Sequence, residues 1–230
     1  MLITGGNSGL GHELVRLFIA NGDEVYGTAR SGRQESLSEL KPAGLLTLDY
    51  AEPPSIVSAV DQLSGMVDGL EMVINCAGID ARALGKDDPR GPFDVDAEIY
   101  SELVRINVGG PMELTRSALP LLRNGTNPWI INISSQLGSM EVAATIGRDS
   151  PYCVSKAALN MLSVKTSTAL RPEGIGVLML HPGWVRTGMG GPDATMEVSE
   201  SASAIVSTLG KLTFDHTGRF VNWDGTEHPW

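Results

Sequence analysis

The sequence predicts an α/β fold: a doubly wound parallel sheet of about seven strands with helices on both faces. Three observations carry this expectation. Apolar strand-like runs alternate along the chain with stretches of helical periodicity, the pattern of parallel strands joined by crossovers. The first eleven residues pass from the apolar pair Leu2-Ile3 through a glycine-rich turn into an amphipathic helix. No linker, internal repeat or low-complexity run divides the 230 residues, so one domain over 1–230 is expected.

In chain order, the first strand falls at 2–4, and the periodic stretch ELVRLFI predicts a helix over 11–21, stopped at Asn21-Gly22. Further strands are expected near 24–28, 45–48, 72–75, 129–133, 176–180 and 219–221. The clearest remaining helices are 55–64, a long one over about 96–123, 151–170 and 199–209. Right-handed crossovers then place a ligand crevice at the carboxyl ends of the strands.

Composition narrows the function classes. A net charge of −10 with scattered basic residues argues against a nucleic-acid surface. No apolar stretch approaches the ~20 residues that span a bilayer, and a strand already at Leu2-Ile3 leaves no room for a signal peptide; a cytoplasmic chain is expected. The two cysteines, Cys76 and Cys153, do not suggest a disulfide framework. His12, His181, His216 and His228 have no metal-ligand spacing, so no metal site is expected.

Two motifs suggest chemistry. Gly5, Gly9 and Gly11 form a Thr-Gly-x-x-x-Gly-x-Gly turn that lets backbone approach a pyrophosphate at a helix N-terminus, where free N–H groups favour anions. Tyr152 and Lys156, four residues apart on a helix, place a phenol and an ammonium on one face. A phenol titrates near pH ~10. A neighbouring positive charge favours the phenolate and draws it towards the range of a proton-transfer group.

Together with Asn75-Cys76-Ala77-Gly78, Ile133-Ser134-Ser135 and His181-Pro182-Gly183-Trp184-Val185-Arg186-Thr187, these motifs resemble the short-chain dehydrogenase/reductase family. The five motifs stand in the family's order and reach from the first strand to about Thr187. The later stretches 188–192 and 220–227 look like the branch containing C-factor and the sniffer-type carbonyl reductases. The resemblance implies a Rossmann-type NAD(P)-binding domain, a small carbonyl or alcohol substrate, and a dimer, tetramer or monomer. Leu114, Leu119, Leu121 and Leu122 suit either a subunit interface or the core.

The expected cofactor contacts are Gly5, Asn7, Ser8, Gly9, Leu10 and Gly11 at the glycine turn, and Asn75, Ala77 and Gly78 at the fourth strand. Asp49 resembles the family's adenine-binding acid, with Tyr50 beside it, and Pro182, Gly183, Val185 and Thr187 would flank the nicotinamide. At the end of the second strand an acid would select NAD(H). Ala29 stands there instead and Arg30 follows, with Arg33 nearby, so NADP(H) is favoured over NAD(H).

Hydride transfer to a carbonyl needs a proton donor at the oxygen. The resemblance makes Tyr152 that acid, or the base in oxidation, Ser135 the donor to the developing oxyanion, and Lys156 the cation that tunes Tyr152 and holds the nicotinamide ribose, with Tyr152 and Lys156 both counted among the cofactor contacts. Asn107 resembles the asparagine that anchors a water leading protons to the lysine; the alternative is a polar residue in a helix distortion near Gly109-Gly110. The segment from Ser135 to Tyr152 is long for the family and reads as a loop insertion near the substrate mouth, with Ser139 a less favoured substitute for Ser135. Trp184 either walls the pocket or packs on the following loop. The short Gly- and Pro-containing stretch after Thr187 suggests an open pocket. Carbonyl reduction is therefore expected, ahead of a C-factor-like signalling protein with little turnover, and ahead of an epimerase or dehydratase, whose relatives usually carry extra C-terminal structure.

Overall fold

Seven short apolar runs pair in parallel into one sheet in the computed structural model, which describes residues 1–88 and 90–230. In chain order they are β1 (Leu2–Ile3), β2 (Tyr26–Ala29), β3 (Gly44–Thr47), β4 (Met72–Asn75), β5 (Trp129–Ile133), β6 (Gly176–His181) and β7 (Phe220–Asn222). Their order across the sheet, β3-β2-β1-β4-β5-β6-β7, reverses direction between β1 and β4 and opens a crevice at the carboxyl ends there. Every residue of β2, β5 and β6 is buried, as strands covered on both faces must be.

The helices are α1 (Gly9–Ala20), α2 (Glu35–Glu39), α3 (Pro53–Ser64), α4 (Ala97–Val104), α5 (Gly110–Arg123), α6 (Met140–Ala143), α7 (Ser150–Leu170) and α8 (Val198–Leu209). On one face of the sheet, Leu14, Val15 and Phe18 of α1 pack with Ile205 and Leu209 of α8 over Ile3, Ile131 and Leu178. On the other, Ile56 and Leu63 of α3 meet Leu114 and Leu122 of α5 over Val73, Ile130 and Val177. Each large side chain so buried contributes about 1.5–3 kcal/mol. Leu114, Leu121 and Leu122 are buried and Leu119 packs against the same cluster, which assigns all four to the core.

The helix expected over about 96–123 is not uniform. Between α4 and α5 the residues Arg105–Gly109 form a π-helical turn that inserts one extra residue into the helical ladder and carries Asn107 inward. Hydrophobic periodicity cannot register such an insertion, because the apolar pattern resumes on the far side. The strand expected at 24–28 begins instead at Tyr26, where pairing with Leu2 starts. The short helices α2 and α6 were not anticipated; α6 lies in the segment read as a loop insertion. Among the described residues, no helix is long and apolar enough to cross a membrane.

Candidate active site

The glycine turn joins β1 to α1. Gly5 and Gly9 have positive φ, 70° and 54°. A Cβ on Gly11 would lie 2.4 Å from the Gly5 carbonyl oxygen, so only glycine lets α1 start this close to the strand. Ser8 is the N-cap of α1 but makes no side-chain cap, leaving the first amides of the helix without a side-chain acceptor. Asn7 is held through its carbonyl by the Ser36 hydroxyl at 2.7 Å, whereas Leu10 turns into the core and presents only backbone to the turn. Thr4 Oγ1 accepts from the Cys76 and Ala77 amides at 3.0 and 3.1 Å, fastening the end of β4 beside the turn. The cradle fits a pyrophosphate.

At the ends of β2 and β3 a cleft of about 340 Å³ is lined by Arg30, Ser31, Arg33, Thr47, Asp49, Glu52 and Ser55. Among the described residues neither Arg30 nor Arg33 is in an ion pair. Asp49 accepts from the Ala51 amide through Oδ1 at 2.9 Å. Tyr50 and Asn75 point the other way: the Tyr50 hydroxyl donates to Asn75 Oδ1 at 2.6 Å, and Asn75 Nδ2 donates to Asn132 Oδ1 at 2.7 Å. Both side chains are spent inside the protein, so a bound nucleotide would meet these two residues through their backbone.

The residues expected to transfer the proton gather where β5 meets α7. Ser135 directly follows the buried Ser134, and its Oγ accepts from the Leu137 amide at 3.1 Å, which leaves the hydroxyl proton to be donated outward. Ser139 is turned away as the cap of α6, accepting from the Val142 amide at 3.0 Å, so Ser135 is the serine beside Tyr152. Lys156 is buried; its Nζ donates to the Ile133 carbonyl at 2.9 Å and lies 5.6 Å from the centre of the Tyr152 ring. Asn107 pairs twice with the Ile79 backbone, at 2.9 and 2.8 Å, and donates to Ser155 Oγ at 3.0 Å. A Cβ on Gly78 would lie 3.2 Å from Asn107 Oδ1 and 3.7 Å from Lys156 Nζ, so these three residues converge. Asn107 thus sits on a helix distortion and beside the lysine, and the two readings of it are compatible.

The electrostatics correct one expectation. Desolvation and then the Asp80 charge hold the Tyr152 phenol above its ordinary value, the Ser135 hydroxyl acting in the opposite sense. Burial also lowers the neighbouring Lys156 ammonium, to about 8. A phenol that keeps its proton is a competent acid and a reluctant base.

On the far side of the crevice, Gly183 has φ 87° and Pro182 is fixed through its carbonyl by the Ser201 hydroxyl at 2.6 Å. Val185 is buried against the bridge to Met196, and Thr187 lies against Gly9, with its methyl 3.3 Å from where a Gly9 Cβ would be. Trp184 donates from Nε1 to the Gly190 carbonyl at 2.9 Å, which places it on the following loop. Sequence reasoning missed Thr4, Asn132, Asn160, Asp80 and His181. For Asn160 a signal existed, since Ser155, Lys156, Asn160, Ser163 and Ser167 recur at helical spacing, but polar residues in that pattern read as a solvated face.

A sheet reversing at β1/β4, a glycine cradle and a Ser/Tyr/Lys group at the strand ends define a dinucleotide-dependent oxidoreductase fold. The family model for short chain dehydrogenases matches residues 1–197, and the chain belongs to that family. Among its relatives is the C-signal of Myxococcus xanthus, 40% identical over 174 residues, covering 75% of this chain and 98% of that protein. Among solved structures, the NADPH-bound carbonyl reductase from chicken fatty liver superposes with a TM-score of 0.91 at 31% identity. The carbonyl reductase Sniffer of D. melanogaster gives 0.91 at 32%. Each alignment covers 100% of this chain and 98% of the other. The resemblance to the sniffer-like branch is thereby established.

Proposed function

We propose that this chain is an NADP(H)-dependent reductase of aldehyde and ketone carbonyls. The observation that carries the reading is the meeting of Ser135, Tyr152 and Lys156 at the end of β5, with the Ser135 hydroxyl proton free to be donated and Tyr152 protonated. NADPH, when bound, supplies the hydride to the carbonyl carbon. Ser135 donates a hydrogen bond to the carbonyl oxygen as charge builds there, and Tyr152 transfers its proton to that oxygen, giving the alcohol. Lys156, beside the resulting phenolate, favours the charged form until a proton returns from solvent. The Gly5–Gly11 turn holds the pyrophosphate, Asp49 faces the adenine side, and Thr187 and Val185 flank the nicotinamide.

NADP(H) over NAD(H) rests on the cleft with Arg30 and Arg33 and no acid at Ala29, and on the NADPH carried by the chicken carbonyl reductase. Loss of nicotinamide absorbance with aromatic aldehydes, diketones and quinones, measured with NADPH and separately with NADH, tests the reading.

The 40% identity to the C-signal favours a second reading, a developmental signal in which nucleotide binding matters and turnover is incidental. A Tyr152→Phe protein that binds NADPH, lacks turnover and retains a biological effect would select it.

A further inference from the structure

We infer that Asn160 is a positioning residue for Ser135, an inference that rests on the proposed carbonyl reduction. The inward face of α7 is polar: Ser155, Lys156, Asn160, Ser163 and Ser167 are all buried. Ser163 and Ser167 face neighbours that play no part in proton transfer. Ser163, for instance, accepts from Asn132 Nδ2 at 2.8 Å and donates to the Leu159 carbonyl at 2.7 Å. Asn160 differs. Its Oδ1 accepts from the Ser134 hydroxyl at 2.5 Å, and its Nδ2 donates to the Gly138 carbonyl at 3.3 Å.

Those two partners bracket Ser135. One amide, 2% exposed, therefore grips the turn on both sides of the hydroxyl that the mechanism requires to be aimed. Inside the bracket the Leu137 amide fixes the Ser135 oxygen, and the Gln136 amide donates to His181 Nδ1 at 3.2 Å. Gly138 makes the approach possible, since a Cβ there would lie 2.8 Å from the Lys156 carbonyl carbon. Tyr152, Lys156 and Asn160 follow one another at four-residue steps, so one helix presents the acid, its cation and the residue that holds the serine turn. Both Asn160 contacts are buried, and displacement of an oxyanion donor by about 1 Å is enough to cost ~10²-fold in rate.

The test is a double-mutant cycle between Asn160→Ala and Ser135→Ala, read as kcat and KM for an aromatic aldehyde and as the Kd of NADPH. In the wild-type background Asn160→Ala is expected to lower kcat roughly 10- to 100-fold with NADPH Kd unchanged within about twofold. In the Ser135→Ala background it should lower kcat less than about twofold, because the residue it positions is already gone. Equal losses in the two backgrounds, or a loss confined to NADPH affinity, would overturn the inference. Wild-type protein that turns over no carbonyl would instead refute the proposed function. If Asn160→Ala does not fold, Ser134→Ala removes one half of the grip; it should lower kcat in the presence of Ser135 and leave it unchanged in its absence, and the same loss in both would again overturn the assignment.

Discussion

The Lys156 ammonium donates to the carbonyl oxygen of Ile133 at 2.9 Å, so the cation of α7 is anchored to the last residue of β5, two positions before Ser135. The bond joins the helix bearing Tyr152, the proposed acid, to the strand that leads into Ser135, the proposed oxyanion donor. Burial there lowers the ammonium from 10.5 to about 8. The unfolded chain then binds more protons than the folded one between about pH 8 and 10.5, so stability rises with pH across that window. The full contribution is on the order of 3 kcal/mol. Thermal unfolding of wild type and Lys156→Met from pH 7.5 to 10.5 checks this: the rise should appear as the difference between them, and parallel curves would refute it.

His181 supplies the acid counterpart. Burial, with the neighbouring His228, lowers its imidazole from 6.5 to about 4, and its unprotonated Nδ1 accepts from the Gln136 amide at 3.2 Å. The folded state keeps the ring neutral while the unfolded chain takes up a proton, so stability is lost as pH falls from about 6.5 towards 4. His181→Asn, whose Oδ1 can accept from the same amide, should flatten that part of the stability profile. An unaltered acid slope would contradict the assignment.

Arg30 lines the cleft at the ends of β2 and β3 outside any ion pair among the described residues. Arg30→Ala is expected to weaken NADPH binding by about ten- to a hundredfold and to leave NADH nearly unchanged, since only NADPH presents a 2′-phosphate. Titration calorimetry with both nucleotides decides it; equal weakening of the two would remove Arg30 as the phosphate reader.

Arg82 ties together the two loops that flank the mouth of the crevice. Its Nε donates to Asp80 at 2.9 Å and its guanidinium also reaches the Met189 carbonyl, beyond Thr187. The short stretch after β6 suggests an open pocket; this strap runs from the loop after β4 to that stretch. Arg82→Ala should raise kcat/KM for a bulky diketone relative to a small aldehyde several-fold, a modest effect suited to a part-exposed pair. No change in that ratio would show that the strap does not limit substrate size.

Most of the fold was readable because its signal is periodic and local. β4 and β5 fall at the residues expected from their apolar runs, and α1, α3, α7 and α8 differ by two residues or fewer at either end. What escaped depends on contacts distant in sequence. Within the π turn at Arg105–Gly109, Asn107 pairs with Ile79, 28 residues away. The polar face of α7 is buried because Asn132, Ser134 and Gly138 come to meet it from β5 and the turn after it. The glycine turn and the Tyr152/Lys156 pair were visible as spacings, and the resemblance to the family supplied the roles expected of them. The raised Tyr152 phenol was not visible, since it depends on desolvation and on Asp80, a residue of the loop after β4.

The most direct test of the central claim is NADPH oxidation by wild type and Tyr152→Phe with an aromatic aldehyde, alongside NADPH binding to both. The account predicts aldehyde-dependent turnover in wild type, a loss of at least about 10²-fold in the variant, and equal NADPH affinity in the two. Turnover in Tyr152→Phe within a few-fold of wild type would contradict it, as would NADPH binding by wild type with no carbonyl reduced.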